Sequence, residues 1–323
     1  MALDLDIQQY LVRYSAQRFP PYSSYTPAGL RKHFNYNFSK NNIRPLLEVE
    51  RVERVLINNG LDSNPLQCRA YYPNGVNKKA LPVLMYFHGG GFVIRDDMDL
   101  YDNTCRMISS QAGCVVIAVD FSLSPEKPFP NALEECYRAT CWVSENGKAL
   151  GVDPHNLGVC GESCGGNLAT VVTMLARDRC GPNICYQIII TGMLDYDFTT
   201  TSYKENGRGE YFLTEDTMKW FWKHYFSNKR DDTANPYCVP LQAKNLTNLP
   251  QALVVTVEFD PLRDEGEKYA EYLENDGVDT KYICYPGLIH GFFDLSHISK
   301  GANEACYKII EFITEMQTSF ARN

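Results

Sequence analysis

Short apolar runs alternate with longer amphipathic segments along most of this chain, and that alternation restricts the fold more than any other feature. The runs that read as strands are Arg51–Ile57, Leu66–Tyr72, Val83–Phe87, Cys114–Asp120, Leu157–Cys160, Tyr186–Thr191, Ala252–Glu258 and Lys281–Tyr285. The middle ones are continuous apolar stretches, as expected of strands covered on both faces. The first two alternate in polarity, carry charge and have no helix-length segment between them, so they are expected to pair antiparallel at one edge. Helical patterns over Tyr101–Ala112, Asn131–Ala149, Ser163–Asp178, Arg263–Asp276 and Ala302–Gln317 follow most of the others. Together they predict an α/β fold, a mostly parallel sheet of about eight strands with helices on both faces.

Two stretches break the rhythm. Residues 1–48 form a polar arm dotted with aromatics, with a turn-rich segment at Phe19-Pro20-Pro21-Tyr22-Ser23-Ser24-Tyr25. Residues from about 195 to 240 interrupt the alternation and hold Trp220-Phe221-Trp222 on an expected helix, opened by Thr214 with Glu215 and Asp216 in its first turn. An aromatic insertion at a strand exit is expected to act as a lid and to be packed onto the core at once. The predicted organisation is an arm at 1–48 and a catalytic domain at 49–323 carrying the insertion.

Composition removes several classes of function. With 323 residues, 44% hydrophobic and 22% charged, the chain is long enough and apolar enough for a substantial core. A net charge of −8 argues against nucleic acid, whose backbone calls for a clustered basic face. The longest apolar run, Leu81 to Phe87, falls far short of the about 20 residues needed to span a bilayer. The acidic start Leu3-Asp4-Leu5-Asp6 is unlike a secretion signal, so a cytoplasmic location is expected, with all 12 cysteines reduced. No Cys-x-x-Cys pair, His-Glu-x-x-His motif or calcium loop occurs, so no metal is expected.

The chemistry is concentrated at strand exits. Gly161-Glu162-Ser163-Cys164-Gly165 has the form G-x-S-x-G, directly after a short apolar strand and directly before a helical run. In that context a sharp turn presents the Ser163 hydroxyl near the positive end of the following helix. His88-Gly89-Gly90-Gly91-Phe92 ends another apolar strand. It lacks the Lys and Ser/Thr of a phosphate loop, and its unobstructed backbone N–H groups suit a developing oxyanion.

A serine nucleophile in this chain order calls for an acid and then a histidine downstream. His290 lies just past the Lys281 strand, whereas His224 belongs to the aromatic insertion and His297 to a polar run before a helix. His290 is therefore the expected base. Asp260 leaves the Ala252 strand and is followed by Pro261, which favours a turn; it is preferred as the orienting acid over its rivals Glu258 and Asp264.

Taken in order, His88–Phe92, Asp120–Pro130, Gly161–Gly166, Glu258–Glu265 and His290-Gly291-Phe292 resemble the bacterial hormone-sensitive-lipase family of α/β-hydrolases, which includes carboxylesterases and arylacetamide deacetylase-like enzymes. The resemblance implies an α/β-hydrolase fold with a helical cap made from the arm and the insertion. It also implies cofactor-free hydrolysis of short- to medium-chain carboxylic esters. By position it implies Ser163 as nucleophile, Asp260 as acid and His290 as base. The implied oxyanion donors are the backbone N–H groups of Gly90, Gly91 and Cys164, with Gly89 a further candidate. The aromatics of the insertion (Trp220, Phe221, Trp222, Tyr225) and of the arm (Tyr22, Tyr25, Phe34, Tyr36) suggest an apolar pocket for an acyl or aryl group, with Trp220, Trp222 and Phe92 the candidate substrate-binding side chains. The implied partner is a small-molecule ester, and a homodimer is compatible with the family.

The chain departs from the family at Glu162, where Asp or Thr is usual, and at Cys164, where Ala is usual. Amide or lactone hydrolysis on the same triad, and a non-catalytic ligand-binding homologue, are the alternative functions.

Overall fold

The computed structural model describes residues 2–41, 45–58, 64–76, 80–95 and 97–320. Eight strands form one sheet: β1 Arg51–Ile57, β2 Leu66–Tyr72, β3 Leu81–Phe87, β4 Val115–Asp120, β5 Val152–Glu162, β6 Tyr186–Ile190, β7 Gln251–Phe259 and β8 Thr280–Ile289. Their order is β1-β2-β4-β3-β5-β6-β7-β8. The β1–β2 and β2–β4 pairs are antiparallel and every later pair is parallel. The expected edge hairpin is therefore present.

The helices are α1 Leu5–Ala16, α2 Pro27–Asn41, α3 Asp102–Ala112, α4 Asn131–Asn146, α5 Cys164–Asp178, α6 Thr201–Asn206, α7 Glu215–Tyr225, α8 Lys229–Asp232, α9 Arg263–Asn275 and α10 Lys300–Phe320. Side chains alternate across a strand, and here both sides are covered. Val83, Met85 and Phe87 of β3 join one core cluster with residues of α4, α5 and α9. Leu84 and Tyr86 join a second with residues of α3 and α10. Burial on both faces is the physical reason that β3 reads as an uninterrupted apolar run.

The arm is largely helical: α1 and α2 occupy much of it. The signals for α1 are local, an Asp4 side chain accepting from the N–H groups of Asp6 and Ile7 at 3.0 Å each, and Ile7, Tyr10, Leu11 and Tyr14 at helical spacing. Ile7 is fully buried in the second cluster. The start of the arm is tied to β8 by Asp4 N–H donating to the Gly287 carbonyl at 3.0 Å. Further on, Arg31 of α2 donates to the backbone carbonyls of Val93 at 2.7 Å and Ser124 at 2.8 Å, and pairs with Glu126. These bonds dock the arm over the carboxyl ends of the strands, the end of an α/β sheet where ligands bind.

Candidate active site

β5 ends at Glu162 and α5 begins at Cys164, which leaves Ser163 alone at the turn. Its backbone lies at φ 57° and ψ −120°, a region that strains any residue with a Cβ by about 1–3 kcal/mol. The turn is held by Ser163 N–H donating to the Ile190 carbonyl at 2.9 Å and by Met193 N–H donating to the Ser163 carbonyl at 3.1 Å. Room for it comes from glycine. A Cβ at Gly165 would run into the Phe87 carbonyl, and one at Gly161 into the Gly165 carbonyl. The G-x-S-x-G spacing is thus a steric requirement of this crossing.

The glycine loop after β3 lies against that turn. A Cβ built on Gly89 would sit 3.4 Å from the Ser163 Cβ and 3.2 Å from the Glu162 carbonyl. Gly89, Gly90 and Gly91 line the same cavity as Ser163. His88 holds the base of the loop: its ring stacks between Tyr101 and Phe121, with centroids 4.6 and 4.2 Å away. Its Nδ1 lies 2.7 Å from the Gly89 carbonyl, which can only accept, so Nδ1 carries the hydrogen. Burial pushes the His88 pKa down to about 3, and the ring is a neutral brace.

Asp260 follows β7 and His290 follows β8. His290 Nδ1 lies 2.8 Å from Asp260 Oδ2, and Asp260 Oδ1 accepts the Leu262 N–H at 2.9 Å. Asp260 is completely buried. The rival acids point elsewhere: Glu258 accepts the Gly287 N–H at 2.8 Å, and Asp264 accepts from Ser202 N–H at 2.7 Å. His290 and Ser163 line one cavity wall. Their side chains are not hydrogen-bonded to each other here, and contacts of this kind commonly tighten only with substrate in place.

The cavity measures about 450 Å³. The arm contributes Tyr10, Tyr14, Phe19, Tyr22 and Phe34, and the insertion contributes Phe212, Leu213 and Phe221. The structure places Trp220, Trp222 and Phe92 outside this lining. Helical phase is the reason. Met218, Trp222 and Tyr225 of α7 share the i, i+4, i+7 face that packs on the core, whereas Phe221 points toward the cavity and meets the Gly91 loop. Phe92 is stacked on Tyr225 at 3.6 Å, behind the loop. Trp220 lines an outer depression with Tyr25 and His224. His297 is exposed and lies in the lining of the Ser163 cavity.

Charge is concentrated close to the serine. Burial lowers the His290 pKa, but Asp260 and then Glu162 outweigh it, and the imidazole titrates above its ordinary value of 6.5. Glu162 is raised, first by burial and then by Asp294, with Arg95 and His290 pulling the other way. Cys164 is fully buried and burial pushes its thiol up to about 12, so it is protonated and inert at neutral pH. Glu162 stands beside Ser163 in the Gly161–Gly165 motif, but no local motif marks Arg95 and Asp294 as its neighbours.

A mostly parallel eight-stranded sheet, with a serine at a strand-to-helix turn and an Asp–His pair at two later strand exits, has the architecture of the α/β hydrolases. A sequence profile of the alpha/beta hydrolase fold family matches residues 84–294, and the chain belongs to that family. It is 36% identical to the esterase LipI of Mycobacterium tuberculosis over 75% of this chain and 76% of that one. It is 33% identical to the ethyl acetate hydrolase of Pseudomonas putida, over 79% of this chain and 80% of that one. A solved structure of a hyperthermophilic esterase from the archaeon Pyrobaculum calidifontis superposes with a TM-score of 0.90 at 37% identity, covering 98% of this chain and 99% of that one.

Proposed function

We propose that this protein is a serine carboxylesterase acting on short- to medium-chain esters through an acyl-enzyme. The observation that carries the reading is the buried Asp260–His290 pair, whose imidazole lines one cavity with a strained serine. With Nδ1 engaged by Asp260, the other ring nitrogen of His290 is left to take the Ser163 proton as the hydroxyl attacks the ester carbonyl. The carbonyl oxygen becomes negative, and the N–H groups of Gly90, Gly91 and Cys164, with Gly89 beside them, receive it. His290 then gives its proton to the leaving alcohol. Water repeats the sequence on the acyl-serine and frees the acid. Relatives named as an esterase and an ethyl acetate hydrolase support ester rather than amide chemistry, and the size of the cavity suits a modest acyl group.

The arm at 1–48 and the insertion at about 195–240 act in this reading as one cap, since both contribute aromatic side chains to the wall above Ser163. Among the described residues no helix is long and apolar enough to cross a membrane. The cysteines are all free, which supports a reducing, cytoplasmic setting. β8 stands at the edge of the sheet, and pairing of two copies along it would give a homodimer that light scattering can detect.

Ser163→Ala tests the reaction. It should lose p-nitrophenyl acetate and butyrate hydrolysis and fluorophosphonate labelling together; activity equal to that of the parent would end the proposal.

A further inference from the structure

The first helix of the insertion, α6, lies against the turn that carries the acid of the Asp260–His290 pair. The ladder between β7 and β8 ends where Phe259 faces Ile289, so Asp260 and Pro261 stand beyond the sheet. Inside the turn, Asp260 Oδ1 accepts the Leu262 N–H at 2.9 Å and the Asp260 carbonyl accepts the Arg263 N–H at 3.2 Å. Further bonds reach the turn from α6.

Ser202 holds it from two sides. Its hydroxyl donates to the Pro261 carbonyl at 2.7 Å and accepts the Asp264 N–H at 3.3 Å, while its own N–H donates to the Asp264 carboxylate at 2.7 Å. Asn206 is one helical turn further on, at the i, i+4 spacing that shares a face. Its Nδ2 reaches the carbonyls of Glu258 at 3.2 Å and Asp260 at 3.4 Å, spanning the end of β7 and the acid itself. Glu205 adds an ion pair to Arg263 at 3.0 Å. Ser202 has no exposed surface and Asn206 is buried, so bulk water does not stand in for these bonds.

Placement matters more at residue 260 than in an ordinary turn. Both oxygens of Asp260 are engaged, Oδ1 by its own turn and Oδ2 by His290, so the carboxylate goes where the backbone takes it. A misplacement of about 1 Å in a catalytic constellation costs about 10²-fold in rate. The same insertion also reaches the cavity: Glu215 N–H at the start of α7 donates to the Gly207 carbonyl just past α6 at 2.9 Å, and α7 carries Phe221 into the wall. Ser202 and Asn206 are not part of that wall.

We propose that Ser202 and Asn206 are positioning residues for Asp260, so that the insertion braces the catalytic acid as well as walling the cavity. The inference rests on the esterase reading above.

Asn206→Ala removes the bonds to both carbonyls. On p-nitrophenyl butyrate, kcat per mole of folded enzyme should fall about tenfold with KM little changed, the folded fraction being taken from the thermal unfolding transition. Lost stability alone would lower the melting temperature and leave kcat per folded enzyme where it was. The same substitution is then made in Asp260→Asn. There no carboxylate orients the imidazole, so the loss caused by Asn206→Ala should shrink to a factor close to one, a non-additivity that the double-mutant cycle reads directly. If Asn206→Ala does not fold, Ser202→Ala, which deletes a single oxygen, is carried through the same cycle. An unchanged kcat per folded enzyme would overturn the brace, and so would an equal loss in the two backgrounds. A parent that turned over no ester would bring down the esterase reading instead, a result distinct from brisk hydrolysis indifferent to Ser202 and Asn206.

Discussion

Asp260 Oδ2 lies 2.8 Å from His290 Nδ1, and Asp260 has no exposed surface. Two residues that leave neighbouring strands are thereby fixed as one unit, with the imidazole oriented by a carboxylate that water does not reach.

Replacing Asp260 by Asn keeps the size of the side chain but offers a donor to Nδ1, which favours the wrong tautomer. The expected loss in kcat for p-nitrophenyl butyrate is about 10⁴-fold, as in other serine hydrolases with this substitution, with KM little changed. Glu258→Gln should stay near the parent rate, because Glu258 is bonded to the Gly287 backbone instead.

The pH profile should carry the imprint of Glu162. Catalysis needs the neutral imidazole, so activity is present above the His290 pKa and is lost as pH falls through it. Asp260 and Glu162 raise that pKa against the effect of burial. Glu162→Gln removes one negative charge, so His290 releases its proton more readily and the acid limb of kcat/KM moves to lower pH. A limb that stayed in place or moved upward would contradict this assignment of charges.

Two neighbouring aromatics of α7 should behave in opposite ways. Trp222→Ala empties a fully buried site and should cost about 3–5 kcal/mol, read as a fall in melting temperature. Phe221→Ala should change specificity instead: the cavity opens and longer p-nitrophenyl acyl chains gain in kcat/KM relative to acetate.

Arg31 ties α2 to Val93, just past the glycine loop, and to Ser124, beyond β4. Arg31→Ala removes charged hydrogen bonds to two backbone carbonyls and should cost about 1–3 kcal/mol. Because the arm helps to wall the cavity, KM should rise more than kcat falls. Steady-state kinetics on butyrate esters separate the two effects.

The strand pattern and the strand exits that carry Ser163, Asp260 and His290 were legible in the sequence because each depends on a few consecutive positions. β1 and β2 match the expected runs residue for residue, and β3 extends its run by two residues at the start. Continuous apolar runs announce strands buried on both faces, and Gly161 and Gly165 announce a crossing too tight for any other residue. Asp260 could be preferred over Asp264 because the strand ends before it and Pro261 follows.

The pocket was a different matter. Trp220 and Trp222 look like pocket residues by composition, yet one step around the helix separates Trp222, which packs the core, from Phe221, which faces the cavity; only docking of α7 sets that phase. The amphipathic face of α1 was present in the sequence, but the surface that buries it comes from β8 and α10. Arg95 and Asp294 stand 199 residues apart, and no local rule joins them. Backbone strain and strand burial are local quantities, so the sequence alone determined the strands of the sheet and the tight turn that carries Ser163. Which side chains wall the cavity, and which distant charges meet there, is the outcome of long-range packing that only the tertiary structure decided.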